Sequence, residues 1–141
     1  MKRVVLDTSV VISAFRSSRG ASFAILGFVA ERRLVPLVST ALFLEYEDVL
    51  QRPEQRAVHG LDVNAVAKAL KELAALCEAV EPHFRWRPQL SDPKDEMVLE
   101  VALNGRADGI VTHNVRDFQR ATQNFGVPIL TPGALLERIR K

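Results

Sequence analysis

The chain has 141 residues, a formal net charge of +2, 48% apolar residues and 26% charged ones, an ordinary balance for a soluble globular protein. That length suits one domain spanning residues 1–141, able to bury a core without disulfides or structural metals. The apolar runs are too short to cross a bilayer and the N-terminus lacks a signal-peptide pattern, so no membrane role is expected and the cytoplasm is the default location. The single cysteine, Cys77, closes a helical apolar pattern and reads as a small core residue. Most cations are arginine, whose planar fork suits phosphate, although solvated surface faces explain many such charges.

Val4-Val5-Leu6 reads as a short strand buried on both faces, and Asp7-Thr8-Ser9 as its handover to a helix. That helix runs from Ser9 to Arg16, and Ser17-Ser18-Arg19-Gly20 breaks it. Helical spacing returns from Ala21 to Arg33, with Gly27 weakening its interior. Leu34 to Val38 is a second strand, Pro36 arguing for its start or for an edge. Ser39 or Thr40 caps a third helix to about Gln51, stopped at Arg52-Pro53. A polar stretch follows through His59-Gly60, then Asp62 caps a long helix carrying Val63, Val66, Leu70 and Leu73 on one face.

Ala79-Val80 is a candidate strand, and Pro82 to Leu90 a loop that includes Trp86. Asp92-Pro93 opens a helix to Leu103, with proline at its favoured first position. Gly109 to Thr112 is a buried strand, His113 to Arg120 a turn with a short helix, and Val127 to Leu130 the last strand. Thr131-Pro132 then starts a terminal helix. Strands alternating with helices predict one layered α/β domain around a mainly parallel sheet.

On this frame several acids stand in notable places. Asp7 ends the first strand, where ligands sit in open parallel sheets, or else it closes a strand-to-helix turn. Asp95 lies at the centre of the arc shared by Val98, Leu99 and Ala102, so it points inward; with Asp92 it also resembles a capping box. Glu45 borders the apolar face of the third helix, and periodicity alone does not select it over Glu47 or Asp48. Asn114 reads equally as a helix cap with Asp117 in the first turn. Acids converging at one sheet edge would favour a hard cation such as Mg²⁺ or Mn²⁺.

Taken together, these pieces resemble the PIN-domain nucleases, in the branch described as toxins of toxin-antitoxin pairs (VapC-like ribonucleases). The resemblance rests on Val4-Val5-Leu6-Asp7-Thr8-Ser9, the helix with Leu44-Glu45, Asp92-Pro93-Lys94-Asp95-Glu96, Val111-Thr112-His113-Asn114 with Asp117, and Pro128-Ile129-Leu130-Thr131-Pro132. It implies a PIN-like three-layer sandwich, a Mg²⁺ or Mn²⁺ site and hydrolysis of RNA. It also implies that Asp7, Glu45, Asp95 and Asp117 are catalytic and metal-holding, and it selects Glu45 over its neighbours. Thr8, Ser9, Asp92, Thr112 and Asn114 would orient these acids or a water, and Arg16, Arg19 and Arg116 would steer phosphates. The implied partners are an RNA substrate, a cognate antitoxin and a second copy in a homodimer.

Two departures accompany the resemblance. Related sequences often read Thr-Gly-Asp where this chain has Thr112-His113-Asn114, and Asn where it has Ser9. A phosphatase of the haloacid-dehalogenase type also opens on a strand-end Asp but needs a second Asp at the position of Ser9. A catalytically degenerate PIN-like module that binds RNA or protein, and an RNA-processing nuclease without an antitoxin, are the alternatives.

Overall fold

The computed structural model describes residues 1–83, 93–122 and 125–140. Among them the chain alternates β1 (Arg3–Leu6), α1 (Thr8–Arg16), α2 (Ala21–Ala30), β2 (Val35–Val38), α3 (Thr40–Leu50), α4 (Pro53–His59) and α5 (Val63–Leu76). It continues with β3 (Glu78–Ala79), α6 (Pro93–Gly105), β4 (Gly109–Val111), α7 (Val115–Thr122), β5 (Ile129–Leu130) and α8 (Pro132–Arg140). Most of the expected Pro82 to Leu90 loop, Trp86 included, and Asp92 lie outside the described residues.

The strands form one sheet in the order β3-β2-β1-β4-β5, and every pairing is parallel. Helices cover both faces, giving a three-layer α/β sandwich. A parallel sheet needs this covering, because its strands are apolar on both sides. β1 is the axis: Val4, Val5 and Leu6 are at most 1% exposed, paired to β2 on one side and β4 on the other. The chain winds from β1 to β3 in one direction, then returns past β1 to β4. That reversal makes the gap between β1 and β4 the topological switch point, where carboxyl ends leave a crevice.

Helix α3 is fastened to this axis. Ser39 caps it by accepting Leu42 N–H at 3.1 Å, and Tyr46, 1% exposed, donates its phenol O–H to the Leu6 carbonyl. Burial holds that phenol protonated, far above its ordinary range. At the opposite end of β1, Asp108 Oδ2 accepts the backbone N–H groups of Arg3 at 2.9 Å and Lys2 at 3.0 Å. These two donors hold the Asp108 carboxyl below its ordinary value.

Several boundaries differ from the sequence reading, each for a local reason. α2 stops at Ala30, and Arg32 takes φ 61° while its N–H meets Val29 O and that of Arg33 meets Phe28 O. α6 ends the same way: Arg106 has φ 51°, its N–H meets Leu103 O, and the Ala107 N–H meets Ala102 O. Both are Schellman ends with arginine where glycine is usual. The polar stretch before Gly60 is the helix α4, with Pro53 opening it and Gly60 ending it at φ 74°. It buries no residue, so it carried no apolar period to read.

Other elements shift by a residue or so. β3 begins at Glu78 rather than Ala79, and Cys77 is the half-buried C-cap of α5 rather than a core position. Its thiol is pushed up to about 11 by burial. Pro36 sits near the start of β2, before its pairing with β3 begins at Leu37, so that pairing does not need its missing N–H. Val63, expected on the apolar face of α5, is 50% exposed.

Tyr46→Phe should cost about 1–2 kcal/mol in urea unfolding, through loss of one buried hydrogen bond. Asp108→Asn should change the acid limb. Because the folded carboxyl lies below 3.8, its contribution is present above that value and disappears as pH falls through the lower folded value. The stability gap between wild type and Asp108→Asn should therefore close as pH falls through that lowered folded value, read from unfolding curves across pH.

Candidate metal centre

Asp7 occupies the N-cap position of α1, with φ −61° and ψ 149°, yet its side chain makes no capping hydrogen bond. Its backbone is locked between strand and helix: Asp7 N–H donates to Val111 O and Asp7 O accepts Val10 N–H, both at 2.9 Å. The carboxylate is 6% exposed and turns instead to two hydroxyls. Ser9 Oγ donates to Oδ2 at 2.9 Å and Thr112 Oγ1 donates to the same oxygen at 2.7 Å. Thr112 Oγ1 also accepts the Asn114 N–H at 2.9 Å. Asp7 thus closes the strand-to-helix turn with its backbone, while its side chain bonds hydroxyls instead of the α1 backbone.

Glu45 projects from the middle of α3 with 13% of its side chain exposed. Its Oε1 is buried and accepts no hydrogen bond, while the Lys94 ammonium of α6 lies 3.3 Å away. The contact is an ion pair without hydrogen-bond geometry. A carboxylate oxygen buried this way is costly unless a cation stands against it. Glu47 and Asp48 are exposed, and Asp48 pairs with Arg52 at 2.8 Å. Burial thus separates Glu45 from the two acids that periodicity could not exclude.

Asp95 lies in the first turn of α6, half-buried, with Val98, Leu99 and Ala102 buried beyond it. Because the far end of α6 leads into the start of β4, its first turn lies toward the opposite edge, where β1 ends at Asp7. Asp117 lies in the first turn of α7, which follows the carboxyl end of β4, and is exposed. Asn114 directly precedes α7; its carbonyl accepts the Asp117 N–H at 3.1 Å. Thr8 is the first residue of α1 and half-buried.

The arginines differ in freedom. Arg16 donates from Nε and Nη2 to Gln55 Oε1 at 3.2 and 3.0 Å, which ties α1 to α4. Arg19 and Arg116 are exposed. Sequence reasoning assigned no role to Tyr46 or Lys94. A cation placed between Asp92 and Asp95 was the available signal for Lys94.

Among the described residues, no three His, Cys, Asp or Glu side chains stand together as a cage for a metal ion. The donor chemistry nevertheless fits a hard cation. The candidate ligands are all carboxylates, Asp7 is buried against neutral hydroxyls, and a buried Glu45 oxygen already faces an ammonium. Oxygen donors of this kind suit Mg²⁺ or Mn²⁺.

The family model for the PIN domain matches residues 3–116. The matched span contains Asp7, Glu45 and Asp95 and ends just before Asp117. Among solved structures the chain is similar to VapBC-1 from nontypeable Haemophilus influenzae, with a TM-score of 0.60 and 21% identity. That match covers 93% of this chain and 98% of the other, and at this identity it is a likeness of fold. No curated protein matches the sequence.

Thr112→Val should cost roughly 2 kcal/mol, because it removes a donor from the Asp7 carboxylate and the acceptor of Asn114 N–H. Thr112→Ser should retain most of that stability. Denaturant midpoints for the two variants check the hydroxyl's role against that of the methyl group.

Proposed function

Because the chain belongs to the PIN-domain family, we propose that it is a metal-dependent endoribonuclease, the toxin of a toxin-antitoxin pair. The observation that carries this reading is Asp7: a buried carboxylate at the switch point, held by two hydroxyls and released from capping its own helix. A cap would stabilise the fold whether or not a ligand came. A desolvated acid held by neutral donors leaves its charge to be met by a cation.

Asp7, Glu45, Asp95 and Asp117 would hold Mg²⁺ or Mn²⁺. Such a cation, when bound, supplies a water made acidic near neutral pH and charge to offset that on the phosphodiester. Ser9 and Thr112 orient the Asp7 carboxylate through their hydroxyls, so its second oxygen keeps a fixed direction. Thr8, Asn114 and Asp92 would complete the polar surroundings. Lys94 balances Glu45 in the metal-free chain. Hydrolysis would leave a 5′-phosphate and a 3′-hydroxyl.

Single-stranded or looped RNA is the favoured substrate class, since a crevice at a sheet edge needs splayed backbone to bring one phosphate close. Arg16, Arg19 and Arg116, all exposed, would draw phosphates past the acids. The likeness in fold to VapBC-1 supports a cognate antitoxin as partner. A homodimer and a cytoplasmic location belong to the same reading. One observation favours a second reading, a degenerate module that binds RNA or protein: the neutral Asn114 where related sequences often carry Asp.

End-labelled RNA, including folded tRNA, should be cleaved by the wild type in Mg²⁺ or Mn²⁺ and spared in excess chelator. Asp7→Asn should lower cleavage by at least about 100-fold. No cleavage in either metal, from folded protein free of inhibitor, would shift the assignment to the binding module.

A further inference from the structure

Ser22 lies in the first turn of α2 and is 2% exposed. A hydroxyl so placed costs stability unless it finds a partner. Its Oγ is 3.4 Å from His113 Nε2, across from the turn that joins β4 to α7. His113 is itself exposed, so core packing does not call for an imidazole there. Its neighbours on both sides belong to the Asp7 network, through the Thr112 hydroxyl and the Asn114 N–H. The turn is thus tied to Asp7 through the Thr112 hydroxyl, to β5 through the Thr112 N–H that donates to Leu130 O at 2.9 Å, and to α2 through His113.

The geometry points to Ser22 and His113 as a positioning pair for the candidate metal centre. Their contact fixes the turn 112–114 and the start of α7 against α2, and with them Asn114 and Asp117 relative to Asp7. The inference rests on the metal-nuclease reading, since its main consequence is for cation binding. The Thr112 bonds hold the β4 end of the turn; the Ser22 contact adds a hold at the next residue, His113. Small displacements matter here, because groups that orient metal ligands typically alter affinity by about 10–100-fold.

Alanine at Ser22 would avoid a buried hydroxyl and favour the helix, so a purely structural role predicts that Ser22→Ala is harmless throughout. The positioning role predicts a split result in the full chain. Ser22→Ala should keep the wild-type Tm or exceed it, while both Ser22→Ala and His113→Ala weaken Mn²⁺ binding about tenfold by calorimetry. In the metal-free chain, Asn114 and Asp117 amides should exchange faster in both variants than in the wild type. Wild-type Mn²⁺ affinity in both variants, or unchanged amide exchange, would overturn the inference. A wild type that neither binds Mn²⁺ nor cleaves RNA would overturn the nuclease reading instead, and amide exchange alone would then decide whether the pair holds the turn.

Discussion

The hydrogen bond from Thr112 Oγ1 to Asp7 Oδ2, 2.7 Å long, joins the ends of two adjacent parallel strands at the place where the sheet reverses its winding. Strand pairing brings β1 and β4 side by side, with Leu6 opposite Val111, so the next residue on each strand meets its counterpart. One supplies a carboxylate and the other a hydroxyl. Everything around them serves that meeting. Tyr46 grips the Leu6 carbonyl from one side, α6 closes against the strands, and Asp108 gathers the start of β1 at the far edge.

The buried acid illustrates how a fold can hold a costly group in a fixed place. A carboxylate that is 6% exposed has lost most of its water, and two neutral donors recover only part of that hydration. Glu45 is in a related condition, its buried oxygen facing an ammonium on a long flexible stem. Both are carboxylates whose surroundings favour added positive charge. The two acids are met differently, Asp7 by two hydroxyl donors and Glu45 by the Lys94 ammonium.

Much of this architecture was legible in the residues. The apolar run before Asp7, the proline at the start of α6 and the Asp62 cap of α5 announce themselves locally, and alternation of elements gives the layered α/β class. What local patterns could not supply was pairing order, and with it the neighbour of Asp7. Thr112 lies 105 residues along the chain from Asp7, and only the sheet brings them together. Glu45 shows the same limit: its helix carries three acids, and the packing of α6 against α3 decides which one is buried. α4 was missed because no face of it is buried, so the hydrophobic period was silent although proline and glycine marked its two ends. Ser22 gave no sign at all, since a serine in an apolar helix becomes informative only when its partner is known.

The two Schellman ends lie at the edge of the sheet away from Asp7, where α2 and α6 turn into β2 and β4. Arginine at φ 61° and 51° costs about 1 kcal/mol at each position relative to glycine. Glycine at either position would remove that backbone cost. The joints at the foot of the sheet therefore carry left-handed backbone without a glycine to relieve it, whereas the turn at Asp7, with φ −61°, carries none.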